Sequence, residues 1–125
     1  AQGVGLKVWD CYRPLSVQKK LWALKPDPAF VAPPEKGSRH NRGAAVDVTL
    51  VDAAGKEFEM PTGYDEFSER ASRTWKGATL AAKKNLRLLD AAMAGQGFLG
   101  LPEEWWHYDD PQWMDQPLLD IPFPE

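Results

Sequence analysis

Apolar and polar residues first alternate along the chain and later recur every three to four positions, and these changes of period mark out its elements. In residues 5–11, GLKVWDC, Leu6 and Val8 flank Lys7 at strand spacing, and the turn signal of Tyr12, Arg13 and Pro14 ends the run. Ser16 then stands where a helix cap is wanted. Val17, Leu21 and Leu24 share one helical face, and Lys25, Pro26, Asp27 and Pro28 stop it. Residues 26–38, with prolines at 26, 28, 33 and 34, read as a surface loop longer than most in a compact domain. Residues 44–51 are rich in β-formers, and 52–56 turn them toward 57–60, which predicts a hairpin. Residues 61–78 mix proline, glycine and charge and read as loop with a short helical turn. The clearest helix spans 79–94: Ala82, Leu86, Leu89 and Met93 line one face, and Gly95 and Gly97 supply the stop. A last strand over 105–108 precedes an irregular tail containing Pro111, Pro117, Pro122 and Pro124. The order predicts a single α+β domain over residues 1–125, a small, mainly antiparallel β-sheet flanked by two or more helices.

Composition narrows what this domain can do. A chain of 125 residues buries roughly two thirds of its unfolded surface, enough for a core without staples, so a metal would serve chemistry more than folding. The net charge of −3 and the absence of a basic stripe argue against nucleic acid or an anionic membrane as partner; Arg39 and Arg42 beside His40 do not make a patch. Cys11 is the single cysteine, so no internal disulfide forms, which fits a reducing compartment. The expectation is a cytoplasmic protein, or a periplasmic one had a signal peptide been removed, since the chain begins with Ala. No stretch approaches the roughly 20 apolar residues of a membrane-spanning helix.

Within this acidic chain the two histidines stand beside carboxylates, His40 in SRHNRGAAVD and His107 in LPEEWWHYDD. Two imidazoles and a carboxylate make the three protein ligands of a catalytic zinc site, with the fourth position left to water. His40, Asp47 and His107 meet that count, although spacing alone does not bring His107 to the other two. The plainer reading makes His40 a loop residue and His107 a half-exposed strand residue. Asp47 shifts the balance. In a strand it shares a face with Ala45 and Thr49, and a buried carboxylate there needs a cation or donor. Gly43 would let the backbone turn so that His40 folds back toward it.

Glu104, three residues before His107, could carry the proton that zinc hydrolysis of an amide must move. Positions i and i+3 of a strand face opposite ways, so Glu104 is expected in a loop before the strand. Pro102 suits such a loop, and Glu103 competes for the role. Arg13 could bind an oxyanion or a substrate carboxylate, or simply pair with Asp10.

Together, WDCYRP, SRHNRGAAVDVTL, GYDEFSER and EEWWHYD resemble the D-alanyl-D-alanine dipeptidases of the vancomycin-resistance (VanX) type, within the wider zinc D,D-peptidase family. Ser38, His40, Gly43, Ala45 and Asp47 meet the S-x-H-x-x-G-x-A-x-D pattern, and Glu104 and His107 meet E-x-x-H. The similarity spans most of the chain. It implies a Hedgehog/D,D-peptidase-like fold with one Zn2+ per chain on the sheet face, held by His40, Asp47 and His107. It also implies Glu104 as general base and acid, and Arg13 as stabiliser of the tetrahedral intermediate. Ser38 and Asp65 would lie near a small D-amino-acid dipeptide, Asp65 against its ammonium group. The same chemistry on longer peptidoglycan peptides, or a non-catalytic zinc or peptide-binding module, are the alternatives it leaves. Family members usually carry some fifty or more residues ahead of YRP, against eleven before Tyr12 here. The expectation is either a trimmed or naturally short form or a more open pocket, and an open pocket could leave core surface exposed and favour a dimer.

Overall fold

A computed structural model describes residues 3–28 and 31–124. Its four strands are β1 (Val4–Asp10), β2 (Ala45–Asp52), β3 (Leu99–Leu101) and β4 (Glu104–Asp109), and its two helices are α1 (Leu15–Leu24) and α2 (Leu80–Ala94). The strands form one antiparallel sheet in the order β1-β2-β4-β3. The α+β class, the antiparallel sheet and the flanking helices are as the residue pattern predicts.

Strand β2 divides the molecule into a packing face and a polar face. Val48 and Leu50 point into a core completed by Leu86, Leu89 and Met93 of α2 and by Trp106 and Tyr108 of β4. Asp47 and Thr49 alternate onto the other face and are buried there too. Helix α2 buries Ala82, Leu86, Leu89 and Met93, the stripe predicted for it, and the Thr79 hydroxyl accepts from the Ala82 N–H at 3.0 Å to cap its start.

Other expectations need correction. Helix α1 is not capped by Ser16: the Ser16 N–H instead donates to the Asp120 carboxylate at 2.9 Å, a cap delivered from the C-terminal tail. Its predicted apolar face is not its buried face either. Leu24 is 84% exposed, whereas Gln18 is fully buried, because α1 borders an open cleft, lined by Gln18, Leu21 and Leu24, and not the core. Residues 57–60 form no full hairpin strand; Val51 and Glu57 make an isolated bridge, supported by the Phe58 N–H to Leu50 carbonyl bond of 2.9 Å. The residue pattern does not predict strand β3, since Leu99-Gly100-Leu101 is too short to show a period.

Two irregularities steer side chains toward the polar face. On β1, Val8 pairs with Val48 but Asp10 pairs with Asp47, so Trp9 is an extra residue and Asp10 joins the Asp47 side. The tail is ordered against the same region. The Leu119 N–H donates to the Asn41 carbonyl at 2.8 Å, the Leu119 carbonyl accepts from Leu15 N–H at 3.0 Å, and Tyr12 Oη donates to the Ile121 carbonyl at 2.8 Å. Among the described residues no helix is long and apolar enough to cross a membrane.

Candidate metal centre

His40 is placed by its immediate neighbours. It lies in a 3-10 turn, Arg39–Arg42, entered at Ser38 and left at Gly43. The Ser38 hydroxyl accepts from His40 N–H at 3.2 Å, while the Ser38 N–H donates to Asn41 Oδ1 at 2.8 Å, a reciprocal cap. Gly43 takes the left-handed φ of 65°, which a residue with a Cβ adopts only at a cost, and the chain thereby swings into β2. The turn allowed by Gly43 is as expected. His107, by contrast, arrives through the sheet: it is the register partner of Asp47 on β2, which closes the sequence gap between them.

His40 Nε2 and His107 Nδ1 each lie 3.2 Å from Asp47 Oδ1. All three residues are buried, and their ligand atoms lie within 4.8 Å of one another. The opposite nitrogen of each ring is committed. His40 Nδ1 faces the Cys11 carbonyl at 2.7 Å, and a carbonyl can only accept, so that nitrogen carries the proton and Nε2 presents its lone pair. His107 Nε2 faces Asp109 Oδ1 at 2.7 Å, which leaves Nδ1 toward Asp47. The second Asp109 oxygen pairs with Arg39, whose guanidinium also stacks 4.2 Å over Trp113. Such outer partners set the tautomer and orientation of metal-binding imidazoles.

These atoms fit a metal ion. Asp47 Oδ1 is buried and faces only the two imidazole nitrogens, while Oδ2 accepts from the Tyr64 hydroxyl at 2.8 Å. Ligand atoms around a tetrahedral zinc with bonds of about 2.0–2.2 Å would stand about 3.3–3.6 Å apart, close to the two His–Asp separations of 3.2 Å. The charge balance agrees. Burial would raise the Asp47 carboxyl, but the two imidazoles outweigh it and hold it below the usual carboxylate range. Burial would depress His107, yet Asp109 and Asp47 draw it up to about 9. The cluster attracts positive charge.

Glu104 Oε1 lies 3.7 Å from His107 Nδ1, and Glu103 is exposed beside it. Glu104 is not in a loop as expected; it opens β4, at a point where the pairing with β3 breaks. Burial, reinforced by Asp47 and Asp65 and opposed by the imidazoles, raises its carboxyl to about 7. Arg13 is held by Asp10 (Nε 3.0 Å, Nη2 2.5 Å) and by Gln18 Oε1 at 2.8 Å. The pairing with Asp10 and a place at the site are thus both realised, because Arg13 lines the same cleft as the His–Asp–His cluster. That cleft of about 750 Å³ is also bordered by Ser38, Asp65, Glu103 and Glu104. Asp65 adopts a left-handed φ of 57°, unusual for a residue with a side chain, and burial followed by the Asp47 charge raises its carboxyl.

Tyr64, Asp109, Gln18 and Asn41 escaped the sequence reading. Asp109 was the most accessible of them: it lies two residues beyond His107 and so on the same strand face. Asn41, three residues after Ser38, has the spacing of a reciprocal cap. Nothing local marks Gln18 or Tyr64, whose partners are distant in sequence.

A His–Asp–His cluster on the polar face of an antiparallel sheet, with a glutamate beside it and a cleft in front, is the arrangement of a metallopeptidase site. The chain belongs to the peptidase M15 family, described as D-Ala-D-Ala dipeptidase, whose family model matches residues 1–124. It is 43% identical to a D-alanyl-D-alanine dipeptidase of Escherichia coli (strain K12) over 117 residues, 94% of this chain and 61% of the relative. It is also 32% identical to one of Enterococcus faecalis (strain ATCC 700802 / V583) over 144 residues, 100% of this chain and 67% of the relative. The chain thus spans about three fifths to two thirds of the length of these curated relatives.

Proposed function

We propose that this chain hydrolyses D-Ala-D-Ala with one zinc ion held by His40, Asp47 and His107. The observation that carries the reading is the convergence of the three candidate ligands on one side of a cleft, with Glu104 Oε1 at 3.7 Å from His107 Nδ1. When bound, the ion supplies Lewis acidity that activates water and polarises the scissile carbonyl. Glu104 takes the proton of the attacking water and passes it to the leaving amine; its carboxyl near 7 suits both directions of transfer. Arg13, immobilised by Asp10 and Gln18, offers its remaining guanidinium edge to the oxyanion without a cost of reorganisation. Asp65 receives the substrate ammonium group and Ser38 contacts the dipeptide. Such a substrate belongs to peptidoglycan metabolism, the setting of vancomycin resistance.

The test is release of D-Ala from free D-Ala-D-Ala and from an N-acylated analogue by the zinc-loaded chain. Turnover of the free dipeptide, lost on chelation and restored by zinc, is expected. A volume of about 750 Å³ is in the range that holds a drug-sized ligand, more than two alanines need, and this favours a second reading of action on longer peptides. Hydrolysis of the acylated analogue alone would select that reading; bound zinc with no turnover of either would leave a binding module.

A further inference from the structure

In a regular strand Glu104 and His107 would face opposite ways, yet they are neighbours here. The cause lies in the β3–β4 pairing. Gly100 pairs with Tyr108, and the next residue, Leu101, pairs with Glu104, so Trp105, Trp106 and His107 fall between two successive partners of β3. The ladder with β2 runs from Asp109 to His107, which leaves Glu104 beyond its end. His107 is therefore gripped by β2, whereas Glu104 depends on whatever holds the register break.

Arg73 occupies that break. Its Nε donates to the Leu101 carbonyl and its Nη2 to the His107 carbonyl, each at 2.8 Å, so one guanidinium spans both sides of the irregularity. Its backbone N–H donates to the Pro102 carbonyl at 2.9 Å, in the turn that leads to Glu104. Nη1 meets the Tyr108 hydroxyl at 3.2 Å and pairs with Asp90 of α2, and the group lies 4.5 Å over the Tyr108 ring. Gly100 makes the room: a Cβ there would come within 2.6 Å of Arg73 Cζ.

We propose that Arg73 is a positioning residue, whose guanidinium fills the β3–β4 register break and so fixes Glu104 beside His107. The inference rests on Glu104 being the proton-transfer group of the proposed hydrolysis. Arg73 touches neither Glu104 nor the metal-facing nitrogens; it acts through the backbone that carries them.

Two variants test it. Arg73→Ala removes the guanidinium, and Gly100→Ala expels it while keeping the arginine, at a glycine whose φ is not left-handed. In each, kcat on D-Ala-D-Ala should fall about 10²-fold, with KM and zinc affinity (by chelator competition) within about threefold, as for a small misplacement of one catalytic group. Methylguanidine should restore part of the activity of Arg73→Ala and none of that of Gly100→Ala, where the new methyl group fills the site. The double variant should be no worse than the poorer single one. Joint loss of zinc affinity and kcat without rescue would make Arg73 a general staple and overturn the proposal, as would unchanged kcat in both variants. Absence of turnover in the wild type would instead sink the proposed hydrolysis. A crystal structure of Gly100→Ala then decides the inference separately: Glu104 displaced with the Asp47–His107 pairing intact upholds it, and an unchanged Glu104–His107 contact overturns it.

Discussion

His40 stands on a four-residue turn closed by its own neighbours, Ser38, Asn41 and Gly43, whereas His107 stands in a strand defined by partners far away in sequence. Around His40 the capping bonds of the turn run over two or three residues, and its carbonyls are then tied to Arg13 and Leu119. Around His107 they run to Asp47 by way of β2 and to Arg73 by way of its guanidinium. The outer shell of each ring repeats the contrast in part. The Cys11 carbonyl reaches His40 from another segment, while Asp109 reaches His107 from the same strand. The capped turn under His40 can thus form locally, whereas the Asp47–His107 pair exists only once the sheet is assembled.

The largest expected effects separate the two halves by what each contributes. His40→Ala removes a proposed ligand together with its bond to the Cys11 carbonyl, so zinc affinity and turnover should disappear together. Glu104 lies on the strand half and is proposed to carry the proton without binding the metal; in Glu104→Ala turnover should fall by about 10²–10⁴ while zinc stays bound. Metal content by atomic absorption beside a D-Ala release assay reads both. Near-full activity in Glu104→Ala would end the proposed mechanism, and zinc loss there would make Glu104 a ligand.

Asp47 joins the halves, and Tyr64 holds it. The Tyr64 hydroxyl donates to Asp47 Oδ2, its ring stacks on Trp9 at 4.3 Å, and burial followed by the Asp47 charge keeps it protonated, with its pKa well above the usual value. Tyr64→Phe keeps the stacking and removes only the donor. Zinc should bind about tenfold more weakly, the lower end for loss of an outer-shell partner, with little change in melting temperature. Equal zinc affinity in the two proteins would show that the carboxylate is fixed by β2 alone.

The same division explains what could be read in advance. The S-x-H-x-x-G run declared its turn because a cap and a left-handed glycine are local devices, and α2 declared its buried stripe through a sustained period. Glu104 could not be placed, because the register break that turns it toward His107 is set by Arg73 and Gly100, in other segments. Leu24 was misread for a related reason. Helical period identifies one face of α1, but Gln18, bonded to Arg13 and to the Ala32 carbonyl at 2.9 Å, shows that the inward face meets polar groups. Asp120, which caps α1, lies 104 residues from Ser16, and no local pattern announces it.

The smallest effect concerns Ser38, where the two kinds of role meet in one hydroxyl. As a cap it accepts from His40 N–H, and loss of such a cap costs about 1 kcal/mol, a shift of roughly 3–6 °C in melting temperature for a domain of this size. A hydroxyl that accepts one bond can still donate its proton, so contact with the dipeptide is compatible with the cap. Ser38→Ala separates the two. If the hydroxyl serves the turn alone, the melting temperature falls and KM for D-Ala-D-Ala is unchanged. If it also meets the substrate, KM rises about five- to tenfold beyond that, the worth of one neutral hydrogen bond. A rise in KM with no loss of stability would contradict the local account of how His40 is held, since the turn would then stand without its cap.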